Sequence, residues 1–256
     1  MRILRQKGKR YTITLTMQNM DKSSIAAFNK DVLSNKGYLY TTNDRLSSKI
    51  ANRRLTDVVL ECVDLKNRRV LDIGCGDGTY TFELFDRAAP LSMTGVDAAA
   101  EAVALATNKR GGRNLDFITC GADKLPFAPD SFDIAHMRGL LHHLGNPIEV
   151  LREALRVAPE IIIVEPNGYN PVLKLIERFS SYHVAHLEKS YAPSTLHGWI
   201  KSMGAGISVR RYAGLVPFFC PEVLAKTLKL IEPLVEITPL ARSLACAVHV
   251  IVAKRN

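Results

Sequence analysis

What these 256 residues have little of narrows the field first. The five cysteines stand far apart, at 62, 75, 120, 220 and 246, with no C-x-x-C pair. That argues against a zinc ribbon or a disulfide framework, and a reduced, cytoplasmic setting is expected. The longest apolar runs, such as Ile161–Val164, fall far short of the roughly 18 residues a membrane helix needs, so no transmembrane segment is expected. The basic N-terminus has no apolar run behind it, which argues against a secretory signal. There is no internal repeat and no low-complexity tract. With 47% hydrophobic and 23% charged residues, nothing suggests large-scale disorder, and one large globular domain, or one domain with a small cap, is expected. The single tryptophan, Trp199, decides nothing by itself.

Acids are also short, 25 against 34 lysines and arginines, for a net charge of +9. The excess is uneven. Arg2, Arg5, Lys7, Lys9 and Arg10 put five cations and no acid in residues 1–20, leaving +4 for the rest. This run could touch RNA or anionic lipid, but a short run of like charge is usually a solvated tail, and Met17 or Met20 are alternative starts. No nucleic-acid partner is expected, and nothing in the sequence speaks to oligomeric state.

Residues 21–66 read as an N-terminal helical cap, with apolar positions at Ile25, Phe28, Val32, Leu46, Ile50, Leu55, Val58, Val59 and Val63, broken by a loop at Gly37–Thr42. From 67 to the end the chain alternates. Strands are expected at Arg69–Ile73, Ser92–Val96, Leu115–Thr119, Ser131–His136 and Glu160–Val164, with helices at Thr79–Arg87, Ala98–Lys109 and Pro147–Val157. Strands spaced by helical patterns predict βαβ units, a parallel sheet and helices on both faces. Beyond Glu165, helices are expected at Pro171–His183, Ser194–Met203 and Pro221 to about Val235, with strands at Ile207–Tyr212 and Ala245–Ala253 closing the sheet as an antiparallel pair. Helical inserts thus fall at about 171–203 and 216–240.

The turn Asp72-Ile73-Gly74-Cys75-Gly76-Asp77-Gly78 lies between a strand and a helix, where glycines let backbone approach a ligand. Its spacing is G-x-G-x-G, and Thr79 stands where a dinucleotide fingerprint has a third glycine. No lysine follows, so it is not a phosphate-binding P-loop. Asp72 would repel a pyrophosphate and suits a ligand with an amino group and a sulfonium. Asp97 lies 19 residues past Gly78, at the distance from which an acid accepts both ribose hydroxyls. Asp123 can accept from the amine of an adenine while Ala122 leaves room for its ring. Taken singly, each acid is also readable as an N-cap or turn residue, though the four elements together argue against that.

The runs VLDIGCGDGTYT (70–81), GVD (95–97), GADKLPFAPDSFD (121–133) and LLHHL (140–144) resemble the class I S-adenosylmethionine-dependent methyltransferases, most of all the group acting on small molecules with a Leu-Pro-Phe and Ser-Phe-Asp signature. The resemblance spans roughly residues 45–166. It implies a Rossmann-like, seven-stranded, mostly parallel sheet with the last strand antiparallel, and S-adenosylmethionine as cofactor. Under it, Asp72 holds the methionine amino group through water, Gly74, Cys75, Gly76 and Gly78 line the methionine and ribose, and Asp97 with Ala98 holds the ribose. Ala122 and Asp123 frame the adenine, and backbone at Met137 and Arg138, just after the fourth strand, approaches the methionine end. One departure is the turn Ala158-Pro159-Glu160, where the family has Gly-Gly.

A hydroxyl acceptor would need a general base, and Glu165, His142 and His143 are the candidates at the C-terminal edge of the sheet. The two histidines sit where the family often carries such a pair structurally. Glu165 is the better candidate for substrate contact, with Asn167 beside it, and Tyr38, Tyr40, Tyr169 and Tyr182 as caps over the site. His183, His186 and Glu188 lack a third ligand at metal spacing, so no metal is expected. After the fourth strand, His136-Met137-Arg138-Gly139 replaces the Asn/Asp-Pro-Pro-Tyr run of amino-group methyltransferases, and no Pro-Cys pair offers a base-methylating thiol; Cys220-Pro221 has the reverse order. The apolar stretches Val172–Phe179 and Leu215–Leu234 suit an aromatic, lipid-like or glycan-linked acceptor in a covered pocket. The expected activity is methyl transfer to a small molecule. An RNA methyltransferase and a catalytically silent module of the same fold are the alternatives.

Overall fold

The computed structural model describes Asn29, Val32, residues 37–179 and residues 189–256. The basic tail, residues 21–28, Tyr182, His183, His186 and Glu188, and the side chain of Tyr40, lie outside the described residues.

After a short helical turn at Leu39–Thr42 the order is α1 (Leu46–Cys62), β1 (Arg69–Ile73), α2 (Thr79–Ala88), β2 (Ser92–Asp97), α3 (Ala100–Lys109), β3 (Leu115–Thr119), β4 (Ile134–Arg138), α4 (Pro147–Val157) and β5 (Glu160–Pro166). Then come α5 (Pro171–Phe179), α6 (Pro193–Ser202), β6 (Ala205–Ala213), α7 (Glu222–Ile237), α8 (Pro239–Ala245) and β7 (Val248–Arg255). Proline opens α4, α6 and α8, where its missing N–H leaves no bond unmade.

The seven strands lie in the order β3–β2–β1–β4–β5–β7–β6, and β7 alone runs against its neighbours. This is the mostly parallel sheet with a reversed last strand that the sequence predicts. The chain order turns back at β1, which has β2 on one side and β4 on the other, so a crevice opens above the C-terminal ends of β1 and β4.

Strand residues alternate between two cores. Leu71, Ile73, Met137, Ile161, Ile163 and Ile251 pack against Val150, Leu151 and Ala154 of α4 and Leu196 and Ile200 of α6. Val70, Ile134, Ile162, Val164, Val250 and Val252 pack on the opposite face against Leu55, Val58 and Val59 of α1 and Leu84 of α2. Helix α1 therefore lies on the sheet, and the turn at Leu39–Thr42 is what reaches toward the glycine loop.

Several boundaries differ from expectation, and those of β4 and β7 have a visible cause. β4 begins at Ile134 rather than Ser131, because Asp130 takes a left-handed φ of 56° and Ser131 Oγ turns back to the Ala128 carbonyl at 2.7 Å. Arg138 thus belongs to the strand instead of following it. β7 begins at Val248 because Ala245 ends a helix and Ala247 donates its N–H to the Gly214 carbonyl at 2.6 Å.

The larger correction concerns the apolar stretches expected to cover a pocket. Val172, Leu175 and Ile176 on α5, and Val223, Leu230 and Leu234 on α7, are exposed. On α7 the cause is a buried cation. Arg54 on α1 donates to both oxygens of Glu236 at 2.8 and 2.5 Å and to Glu61 at 2.7 Å. Hydrogen bonding to Glu236 holds the guanidinium well above its usual range, while burial opposes. Burial raises the Glu236 carboxyl, but the Arg54 bonds outweigh it and hold the group low. This clamp turns the acidic side of α7 inward and its leucines out.

Candidate active site

β1 ends in a loop whose glycines all take positive φ: 79° at Gly74, 55° at Gly76 and 77° at Gly78. The loop is drawn onto β2, since the N–H groups of Gly74 and Cys75 both donate to the Val96 carbonyl, at 2.8 and 3.0 Å. A Cβ at Gly76 would stand 2.5 Å from the Tyr38 ring, and one at Gly78 would stand 2.9 Å from Ala106 and Phe82. Glycine is therefore demanded here by both conformation and space. Cys75 is buried, and burial pushes its thiol well up, so it is an inert packing group.

Asp97 closes β2 beside this loop. Its carboxylate accepts the Gly76 N–H at 2.9 Å and the Ala99 N–H at 2.8 Å, which fixes it against the glycine turn and leaves Ala98 on the same bend. Burial raises its carboxyl, and those backbone bonds pull it back. The Cys120 N–H donates to the Asp97 carbonyl at 3.0 Å and so draws the turn carrying Ala122 and Asp123 alongside. Ala122 packs on the α4-side core, and a Cβ on Gly121 would meet Asp123 Oδ1 at 2.6 Å.

Asp72 is buried below the loop. Its oxygens face Thr81 Oγ1 at 2.5 Å and His136 Nδ1 at 2.7 Å, so it knits β1 to α2 and β4. Met137 is fully buried. The Arg138 guanidinium lies 3.6 Å over the Tyr80 ring and donates to Thr56 Oγ1 at 3.1 Å and Asn52 Oδ1 at 3.0 Å. Burial lowers the Arg138 guanidinium and pushes the Tyr80 hydroxyl up to about 12. That cluster joins α1, α2 and β4 at the crevice, and the sequence reading had no means to pair residues so far apart.

Asp77 is a second group the sequence reading passed over. One oxygen accepts the Tyr38 N–H at 3.2 Å and Thr41 Oγ1 at 2.7 Å, and the other accepts the Thr79 N–H at 3.1 Å. It ties the 38–41 segment to the glycine loop. An acid between two loop glycines was the available signal.

At the C-terminal end of β5, Glu165 is buried. One oxygen accepts the N–H groups of Leu140 and Leu141, both at 2.8 Å, and the other lies 2.8 Å from His142 Nδ1. The carboxylate is thus committed to the turn after β4 and to His142, whose ring lies 3.9 Å from that of His143. Asn167, expected against a substrate, is instead fully buried. Its Nδ2 donates to the Ser243 and Cys246 carbonyls at 2.9 and 3.0 Å, and its Oδ1 accepts the Tyr169 N–H at 3.1 Å. It pins the end of β5 to α8. Tyr169 itself is exposed.

In the sheet register His249 stands opposite Glu165 and Tyr212. Its ring is buried 5.0 Å from that of His197 and 4.9 Å from that of Tyr212, with no hydrogen-bond partner at either nitrogen among the described residues. Burial holds this imidazole down at about 3.

Asp72, Asp97 and Asp123 thus converge on a bare, bent backbone loop that carries no cation. That donor set fits a nucleoside with a positively charged tail and does not fit a pyrophosphate.

A family model described as a methyltransferase domain matches residues 64–195, half of the chain. A ubiquinone biosynthesis O-methyltransferase of Pseudomonas fluorescens is 26% identical over 216 residues, covering 78% of this chain and 88% of that protein. A tRNA U34 carboxymethyltransferase of Shewanella halifaxensis is 33% identical over 135 residues, but these are 48% of this chain and 39% of that protein. Among solved structures, an S-adenosylmethionine-dependent methyltransferase of Thermotoga maritima superposes with a TM-score of 0.67 at 17% identity, covering 91% of this chain and all of that one (100%). Magnesium protoporphyrin IX methyltransferase of Synechocystis, with bound S-adenosylhomocysteine, gives 0.65 at 14% identity, covering 90% and 97%.

Proposed function

Because the chain belongs to the class I S-adenosylmethionine-dependent methyltransferases, we propose that it methylates a hydroxyl group on a small aromatic or lipid-like acceptor, with His142 as general base. The observation that carries this reading is the Glu165–His142 pair at the C-terminal edge of the sheet. When bound, S-adenosylmethionine supplies a methyl group already activated on a sulfonium. The remaining demands on the protein are alignment, exclusion of water and removal of the acceptor's proton.

Asp97 would accept from the ribose hydroxyls, and Ala122 and Asp123 would border the adenine. The backbone of Gly74, Gly76 and Gly78 would let the methionine end approach, and Asp72 would supply a negative charge for its amino group. Glu165 accepts from Nδ1 of His142, which fixes the tautomer in which Nε2 takes the proton from the acceptor oxygen. The buried carboxylate then steadies the imidazolium that forms. Tyr38, held by Asp77, lies across the glycine loop as a side wall.

The small-molecule reading draws support from coverage. The ubiquinone O-methyltransferase of Pseudomonas fluorescens is matched over most of its length, whereas the tRNA-modifying relative is matched only in part.

The test is incubation of the purified protein with cell extract and S-adenosylmethionine carrying a labelled methyl group, followed by separation into lipid, small polar and RNA fractions. Label in an extractable aromatic or lipid fraction, lost with His142→Ala, is the expected result. Label confined to RNA would overturn the acceptor class.

A further inference from the structure

We infer that α5, α7 and α8 form a face that docks on a membrane surface bearing anionic phospholipid. The inference goes beyond the methyl-transfer reading and does not depend on the acceptor.

An amphipathic helix in a globular protein ordinarily turns its apolar stripe to the core. α7 does the reverse. Glu236 is locked to Arg54, and Glu232 is buried, accepting the Leu215 N–H at 2.9 Å and lying 2.6 Å from Lys229 Nζ. The outward face carries Val223, Leu230, Leu234 and Ile237, continued by Leu240 on α8 and Val172 on α5, each between 63% and 81% exposed. Isolated exposed leucines are ordinary; a contiguous face on three touching elements marks an interaction site.

Charge selects the occupant. Lys174, Arg178, Lys226, Lys229 and Arg242 lie on the same three helices. The acids there that reach water are Glu222 and Glu177, each ion-paired to a lysine, at 2.6 and 3.1 Å. At helical spacing Lys226 borders the apolar stripe, where its stem can lie along the hydrocarbon boundary, and Arg242 adds a cation on α8 beside it. No described helix is long and apolar enough to cross a membrane, so this face would rest on the surface.

Topology sets the orientation. The β6–β7 connection that carries α7 and α8 leaves from Ala213 and returns at Val248, which pairs with Pro166 at the C-terminal end of β5. α5 leaves from the same end. The apolar face therefore springs from the edge that holds the glycine loop and His142.

The test is flotation of the full-length protein with vesicles of phosphatidylcholine alone and of phosphatidylcholine mixed with phosphatidylglycerol, and sedimentation velocity without vesicles. The expected result is a monomer that floats with the mixed vesicles, less with phosphatidylcholine alone, and less as salt is added. Leu230→Glu/Leu234→Glu should weaken flotation by about tenfold or more. Its affinity for S-adenosylhomocysteine should be unchanged, which shows that the variant is folded. No flotation with either vesicle, equal flotation of wild type and variant, or a dimer that the variant splits would each overturn the proposal.

Discussion

Glu165 reaches His142 across the crevice end of the sheet: its carboxylate lies 2.8 Å from Nδ1 while also accepting the backbone N–H groups that open the turn after β4. One buried acid thus shapes the turn and orients the ring that the turn carries. His142→Ala should lower kcat by about 10²–10⁴-fold with little change in S-adenosylhomocysteine affinity, the size expected for loss of a positioned base. Glu165→Gln should lower kcat and also Tm, since the same carboxylate holds the turn. Kinetics with the identified acceptor, paired with thermal melts, separate the two. Unchanged kcat in His142→Ala would remove it from the chemistry.

Asp97 is held by the glycine loop it serves. Asp97→Ala should weaken S-adenosylhomocysteine binding by about 10–100-fold, the equivalent of one or two lost hydrogen bonds to a charged group. Titration calorimetry measures this directly. Wild-type affinity in the variant would refute the ribose assignment.

Asp77 fastens the 38–41 segment through hydrogen bonds from Tyr38 and Thr41. Asp77→Ala should cost about 1–3 kcal/mol and speed amide exchange at Tyr38 and Thr79. Exchange mass spectrometry would show whether the loosening is confined to that segment.

Arg54 sits between Glu61 and Glu236. Arg54→Met leaves the Glu236 side chain, which is buried, without its cation and should cost about 3–5 kcal/mol. Adding Glu236→Gln should recover part of that loss. Additive effects in denaturant melts would contradict the coupling.

His249 gives a pH dependence. Its unfolded imidazole binds a proton near 6.5, but the folded one does so only near 3. Between these values the unfolded state holds more protons, so stability rises with pH through this window. The contribution is fully present above 6.5 and is lost as pH falls toward 3, by an amount on the order of a few kcal/mol. His249→Phe should flatten Tm against pH over that range.

Much of the fold was legible because local signals agreed. The apolar runs at Arg69–Ile73 and Leu115–Thr119, punctuated by glycines and polar residues, and Pro147 opening α4, fall where the structure has them. The reading slipped at Ser131, where a left-handed Asp130 delays β4 and no residue type announces it. It also misjudged α7, since periodicity shows that a helix has an apolar stripe and not which way the stripe faces; that is decided by Arg54, 182 residues from Glu236 in the chain. Asn167 looks like a pocket residue in the sequence because its partners, the Ser243 and Cys246 carbonyls, come from the end of α8 and the residue after it, where the sequence pattern predicts a strand from Ala245 and no helix beyond about residue 240. The cofactor side of the site is encoded by short-range spacing, and the rest by contacts between distant segments.

The reversed direction of β7 has a genetic consequence. The glycine loop, Asp97, Asp123, His142 and Glu165 all precede Pro166, and everything after it leaves one edge of the sheet and comes back to that edge through β7. A recombination junction near residue 166 would exchange everything from α5 through β7 as one inherited block. The loop, its acids and the histidine would pass through such an exchange unaltered, so a lineage of this architecture can change what surrounds the glycine-loop edge without rewriting that edge.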